Sequence, residues 1–150
     1  MDKNTKIKIS HEILRINKLL VDMKYFLDSF KTNFPDIVEI TAAAQVLHSF
    51  YNGIESVTVL FFKHLNEKIP NNFKWHKTLF EMMFGDNSKN IRIVRDEIKK
   101  KLERYLLFRH FIRHSYSSEL DWNYMSPLII NLEDTWKIIK DDFDSFIKNN

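Results

Sequence analysis

The sequence predicts an all-α fold, an antiparallel bundle of four or five helices, on three observations. Only two glycines and three prolines occur in 150 residues, and they stand where long periodic segments end. Apolar residues recur at three-and-four spacing through most of the chain, the period of one helix face. No strand-period alternation competes with that pattern.

The elements follow in order. A first helix starts with Ser10 as N-cap, with Ile9 and Leu14 as a hydrophobic staple and Glu12 in the first turn. Ile13, Ile16, Leu20, Met23, Leu27 and Phe30 form its stripe, and it ends before Pro35. A second helix runs from about Val38 to Asn66 on Ala43, Leu47, Phe50, Ile54, Val57 and Phe61, closed off by Pro70 and Asn71-Asn72. A shorter third, about Lys74 to Phe84, carries Trp75, Leu79, Met82 and Met83 and stops at Gly85. A long fourth spans Ser88 to about His114, with Ile91, Val94, Ile98, Leu102, Tyr105 and Ile112 on one face. Ser115 to Tyr124 reads as a loop, and Ser126-Pro127 opens a last helix toward Phe146. No repeat, linker or charge block separates a second domain, so residues 1–150 read as one.

Composition narrows the function. With no cysteine there is no disulfide framework, no thiolate metal site and no cysteine nucleophile. No apolar run approaches the roughly 18 residues of a membrane span, and Met1 to Ser10 lacks the apolar core of a signal peptide. A cytoplasmic protein without membrane contact is expected. Lys+Arg 23 against Asp+Glu 20 leaves only +3 despite a pI of 9.0. Distribution says more: Lys99, Lys100, Lys101, Arg104, Arg109 and Arg113 crowd one segment, and Glu133, Asp134, Asp141, Asp142 and Asp144 gather near the C-terminus. The basic segment suits a local anionic ligand such as RNA, although a lysine run alone is usually a solvated helix face.

The chemistry gathers at the exit of the fourth helix, Phe108-Arg109-His110-Phe111-Ile112-Arg113-His114-Ser115-Tyr116. Histidine exchanges protons near neutral pH, and arginine holds a phosphate bidentately without losing its charge. Together they suit cleavage of RNA, whose own 2′-hydroxyl serves as nucleophile; a base, an acid and a cation then suffice, with no metal or cofactor. Five positions on a straight helix separate two side chains by roughly 140°, so Arg109 and His114 would not share a face. Either the helix loosens near Ile112, or two chains bring their helix exits to one phosphate; the symmetric homodimer is the preferred solution. His110 and His114 have the spacing of a helical metal pair, but no glutamate or cysteine accompanies them and no metal site is expected.

Arg109, four intervening residues, His114, Ser115 and Tyr116 reproduce an R-x4-H-x-Y motif, on which the sequence resembles the HepT-like toxins of the HEPN superfamily. The segments His48-Ser49-Phe50-Tyr51-Asn52-Gly53-Ile54-Glu55 and Trp75-His76 with Leu79, and Phe108 through Asp121, fit that family's helices as well. The likeness spans roughly Ala42 to Phe143 and is weakest in the first helix. It implies a HEPN-like bundle and a metal-independent endoribonuclease, the toxin of a toxin–antitoxin pair, working as a homodimer with its site in the dimer cleft. It makes Arg109 and His114 the catalytic pair, with His110, Arg113 and Tyr116 in support. It also implies a minimal nucleotidyltransferase antitoxin that adenylylates Tyr116, placing bulk and phosphate charge where the substrate enters. Transfer RNA and messenger RNA both stay open as targets.

Several readings stay open beside these. Glu55 could orient Arg109 or Arg113, or form a merely structural ion pair. Tyr51 could reach the cleft or simply pack. His48, His64 and His76 are scattered and read as surface or satisfied core histidines. The competing function is a non-catalytic HEPN subunit that binds a nucleotide or partner within a nucleotidyltransferase complex.

Overall fold

The computed structural model describes residues 1–150. Six α-helices follow one another: α1 (Lys3–Ser29), α2 (Ile37–His64), α3 (Trp75–Met83), α4 (Lys99–Ile112), α5 (Trp122–Ile130) and α6 (Leu132–Asn149), with single 3-10 turns at Asp96–Ile98 and Ser117–Glu119. The chain is all-α, as its periodicity predicts. No helix is long and apolar enough to cross a membrane.

Helix α2 is the hub, touching α1, α3, α4 and α5. Its start is fixed by a capping box: the Asp36 carboxylate accepts from Glu39 N–H at 2.8 Å, and the Glu39 carboxylate accepts from Asp36 N–H at 3.1 Å. All six residues of its expected stripe are buried, and they join a core of 36 buried hydrophobic residues drawn from every helix. Gly53 lets α1 come close, because a Cβ there would lie 2.6 Å from Ile16 Cγ1. Leu79, Met82 and Met83 bury the inner face of α3, and Gly85 leaves that helix at φ 107°, a conformation glycine adopts freely.

Three boundaries differ from the sequence reading. Helix α1 begins at Lys3, not Ser10, because Asp2 caps it by accepting from Thr5 N–H at 3.0 Å. Once the helix continues through Ser10, Ile9 and Leu14 face different ways: Ile9 is buried and Leu14 is exposed, so no staple forms. The expected long fourth helix loses its first eleven residues. Asn87 donates its side-chain amide to the carbonyls of Met82 and Ile91 and accepts from Ile91 N–H at 3.0 Å. Ile93 N–H turns to the Met83 carbonyl, and Arg95 takes the Asp142 carboxylate through both its backbone N–H (2.9 Å) and its guanidinium (2.6 Å). These tertiary partners displace the i→i−4 ladder, and α4 starts only at Lys99.

The third difference lies after the loop, which is shorter than Ser115 to Tyr124. Asp121 caps α5 by accepting from Asn123 N–H at 2.9 Å, so Pro127 lies inside that helix and not at the start of a longer one. The helix breaks three residues later, where the Asn131 backbone and side-chain amides both donate to the Pro127 carbonyl, at 3.1 and 2.7 Å. Helix α6 then returns along α1, tied by Trp136 Nε1–H donating to Asn17 at 2.7 Å. The expected last helix is therefore two, and the bundle has six.

Candidate functional site

The site grows from a polar stripe on the otherwise apolar hub helix. His48, Tyr51, Asn52 and Glu55 stand at positions i, i+3, i+4 and i+7 and so share one face of α2. Into that face α4 delivers Arg109, which is 9% exposed. Its Nε–H donates to Asn52 Oδ1 at 2.8 Å, and Glu55 Oε1 lies 3.1 Å from the same nitrogen. The other Glu55 oxygen, Oε2, is 2.6 Å from His76 Nδ1, contributed by α3. Three helices thus meet in one polar chain, with Asn52 hydrogen-bonded to Arg109, Glu55 ion-paired with it, and His76 bonded to Glu55.

Electrostatics follow from burial. Burial pushes the Glu55 carboxyl above its ordinary range, while the His76 hydrogen bond and the Arg109 charge pull it back. Burial lowers the proton affinity of Arg109, opposed by Glu55 and reinforced by Arg113. His48 is held below 6.5, first by burial and then by Arg109 and Arg113. Tyr51 is fully buried, and its hydroxyl, held un-ionised by burial, finds no hydrogen-bond partner. It packs in the core and does not reach a cleft.

The fixed Nε leaves the two terminal amino groups of Arg109 without a protein partner among the hydrogen bonds it makes. A guanidinium so held keeps, on its terminal amino groups, the pair of donors that bidentate binding of an oxyanion uses. The remaining motif residues occupy the rim. Helix α4 ends at Ile112, and His114 lies beyond the Arg113 cap in a turn, its N–H bonded to the Phe111 carbonyl at 3.1 Å. The helix therefore does loosen where the 140° problem arises. His110, Arg113 and His114 are exposed, and the His110 and His114 rings meet edge to face, centroids 5.3 Å apart. Tyr116 is 80% exposed, its backbone N–H accepted by Glu119 at 3.2 Å. Within one chain Arg109 bonds to Asn52 and Glu55 and not to His114, so the pair named by the motif is divided between a buried clamp and an exposed turn. No group of three or more His, Asp or Glu side chains is arranged to hold a metal ion.

Asn52 and His76 are functional candidates that the motif does not name. Residues 42–150 match the model of the family described as HepT-like protein. The chain belongs to the HepT-like proteins of the HEPN superfamily. The match begins at Ala42 and so covers most of the hub helix, the clamp and the exit turn of this HepT-like chain while leaving out all of α1 and the first five residues of α2. It runs through the C-terminus, a little beyond the Phe143 limit of the sequence resemblance. No curated protein and no solved structure matches the chain. Membership relates this HepT-like protein to ribonucleases of toxin type at the level of the family.

Proposed function

We propose that this HepT-like protein is a metal-independent endoribonuclease, the toxin of a pair whose antitoxin is a minimal nucleotidyltransferase. The observation that carries the reading is Arg109, buried, held through Nε by Asn52 and Glu55, and without a hydrogen-bond partner at its terminal amino groups. In the reaction the 2′-oxygen attacks phosphorus, its proton passes to a base, and the bond to the 5′-oxygen breaks as that oxygen gains a proton. Arg109 neutralises the charge that develops on the non-bridging oxygens, and His114 carries the proton. His110, Arg113 and Tyr116 line the approach, and adenylylation of Tyr116 would fill it.

A homodimer suits the division of the pair. Arg109 is anchored inward while His114 projects from the turn, so a second chain across a twofold axis supplies the missing partner. The outer face of α4 offers the contact, with Leu107 53% and Phe111 42% exposed one helical turn apart. The test is cleavage of RNA, transfer RNA included, by purified protein in EDTA. Arg109→Ala is expected to lose at least about a hundredfold in rate, the scale of removing one oxyanion donor; equal cleavage by a folded Arg109→Ala protein would reject the assignment.

One observation favours the second reading, a non-catalytic subunit that binds a nucleotide or partner. Arg109 already has a buried counter-ion in Glu55, as a purely structural pair would. That reading requires nucleotide binding and assembly with a nucleotidyltransferase but no RNA turnover by the isolated protein.

A further inference from the structure

The contacts that hold Arg109 lead out of the site to the N-terminal end of α3. His76, bonded to Glu55, packs against Trp75 with ring centroids 3.6 Å apart and the planes tilted by 34°. Just before Trp75 the chain makes a turn in which Asn72 accepts twice, through Oδ1 from Lys74 N–H at 2.9 Å and through its carbonyl from Trp75 N–H at 3.1 Å. That turn throws Phe73 outward, leaving it 90% exposed, with Lys74 Nζ 5.5 Å from the ring centre. A single exposed ring is ordinary; its surroundings are not.

Lys68, Lys74 and Lys77 are all exposed, and none of them forms an ion pair. No acidic residue occurs between Glu67 and Glu81, and both of those are engaged elsewhere: Glu67 accepts from Ser88 and Lys89, and Glu81 pairs with Lys99 at 2.7 Å. An exposed aromatic ring therefore stands in a segment of uncompensated cations, two residues before the Trp75 ring that touches His76 of the arginine clamp.

We infer that Phe73, Lys74 and Trp75, with Lys68 and Lys77, form a platform for single-stranded RNA flanking the phosphate held at Arg109. Every base has a π-face that can stack on Phe73, and the lysines neutralise backbone phosphates, so the platform lengthens the bound strand without selecting its sequence. A protein partner fits less well, because the centres of protein interfaces are depleted in lysine. The inference rests on the ribonuclease reading for what happens at Arg109, and binding to the platform can be measured without turnover.

The probe is a 2′-O-methyl oligouridine of about twelve nucleotides, within the usual span of a single-strand site and lacking the 2′-nucleophile. Trp122 and Trp136 are buried, so quenching of tryptophan fluorescence reports on half-buried Trp75. Wild-type protein is expected to be quenched. Phe73→Ala/Lys74→Ala/Lys77→Ala is expected to bind about tenfold more weakly, with the slope of log affinity against log salt reduced by about 1.4 for two lost lysines. Phe73→Trp should keep affinity and Phe73→Leu, apolar but unable to stack, should lose it, while circular dichroism confirms that each variant is folded. Equal affinity and slope in the triple variant would overturn the platform, as would loss of nucleotidyltransferase assembly with RNA affinity intact. Binding that depends on Phe73 in a protein that never cleaves RNA in EDTA would keep the platform and reject the nuclease.

Discussion

At the scale of single residues, the clamp depends on a buried ion pair, and such pairs fail asymmetrically. Glu55→Ala leaves Arg109 as an uncompensated cation inside the bundle, a change of about 3–5 kcal/mol when one partner of a buried pair is removed. A lower urea midpoint and lost RNA cleavage are expected together, and an unchanged midpoint would show that the pair is solvated. His48 gives a pH signature. Burial beside Arg109 and Arg113 holds its pKa below 6.5, so the unfolded chain takes up the proton first. The stability it contributes is complete above pH 6.5 and is lost as pH falls through the lowered native value. His48→Gln should flatten that part of the decline in urea midpoints measured across the interval; an identical decline in the variant would remove His48 as its source.

Part of the candidate site is legible in the sequence. The motif names Arg109 and His114, and the His48, Tyr51, Asn52, Glu55 spacing marks a polar stripe on an apolar helix, which is the signal by which Asn52 could have been found. His76 carries no such signal, since its bond to Glu55 depends on how α3 docks against α2.

At the scale of elements, stripes survive translation from sequence to structure better than boundaries do. The apolar faces of α2 and α3 are buried as the spacing predicts, because periodicity records what packing needs. The start of α4 is hidden for the opposite reason: Asn87 and Asp142 outcompete the local ladder, and Asp142 is 47 residues away from Arg95. The contact of α1 with α2 makes a sharp prediction. Alanine at Gly53 gains helix propensity of about 1 kcal/mol but pushes a methyl group against Ile16, and overpacking costs about 1–3 kcal/mol. Gly53→Ala is expected to lower the thermal midpoint, and the penalty should vanish in an Ile16→Ala background. A penalty of the same size in both backgrounds would locate the strain elsewhere.

At the scale of the whole molecule, what one chain separates two chains are proposed to join. If Arg109 of one protomer serves with His114 of the other, mixing Arg109→Ala and His114→Ala proteins at equal amounts restores about a quarter of wild-type cleavage through dimers holding one intact site. A site completed within one chain gives no recovery. Symmetry of this kind has no trace in the order of residues; only the 140° conflict on α4 points to it, and the break at Ile112 relaxes that conflict without bringing the pair into contact.

The chemistry itself is read most directly from the ends of the cleaved RNA. Attack by the 2′-oxygen, with His114 moving the proton and Arg109 holding the phosphate, leaves a 2′,3′-cyclic phosphate and a 5′-hydroxyl in EDTA, and none in a folded His114→Ala protein. Ends carrying a 5′-phosphate, or the same cyclic ends from His114→Ala, would contradict it.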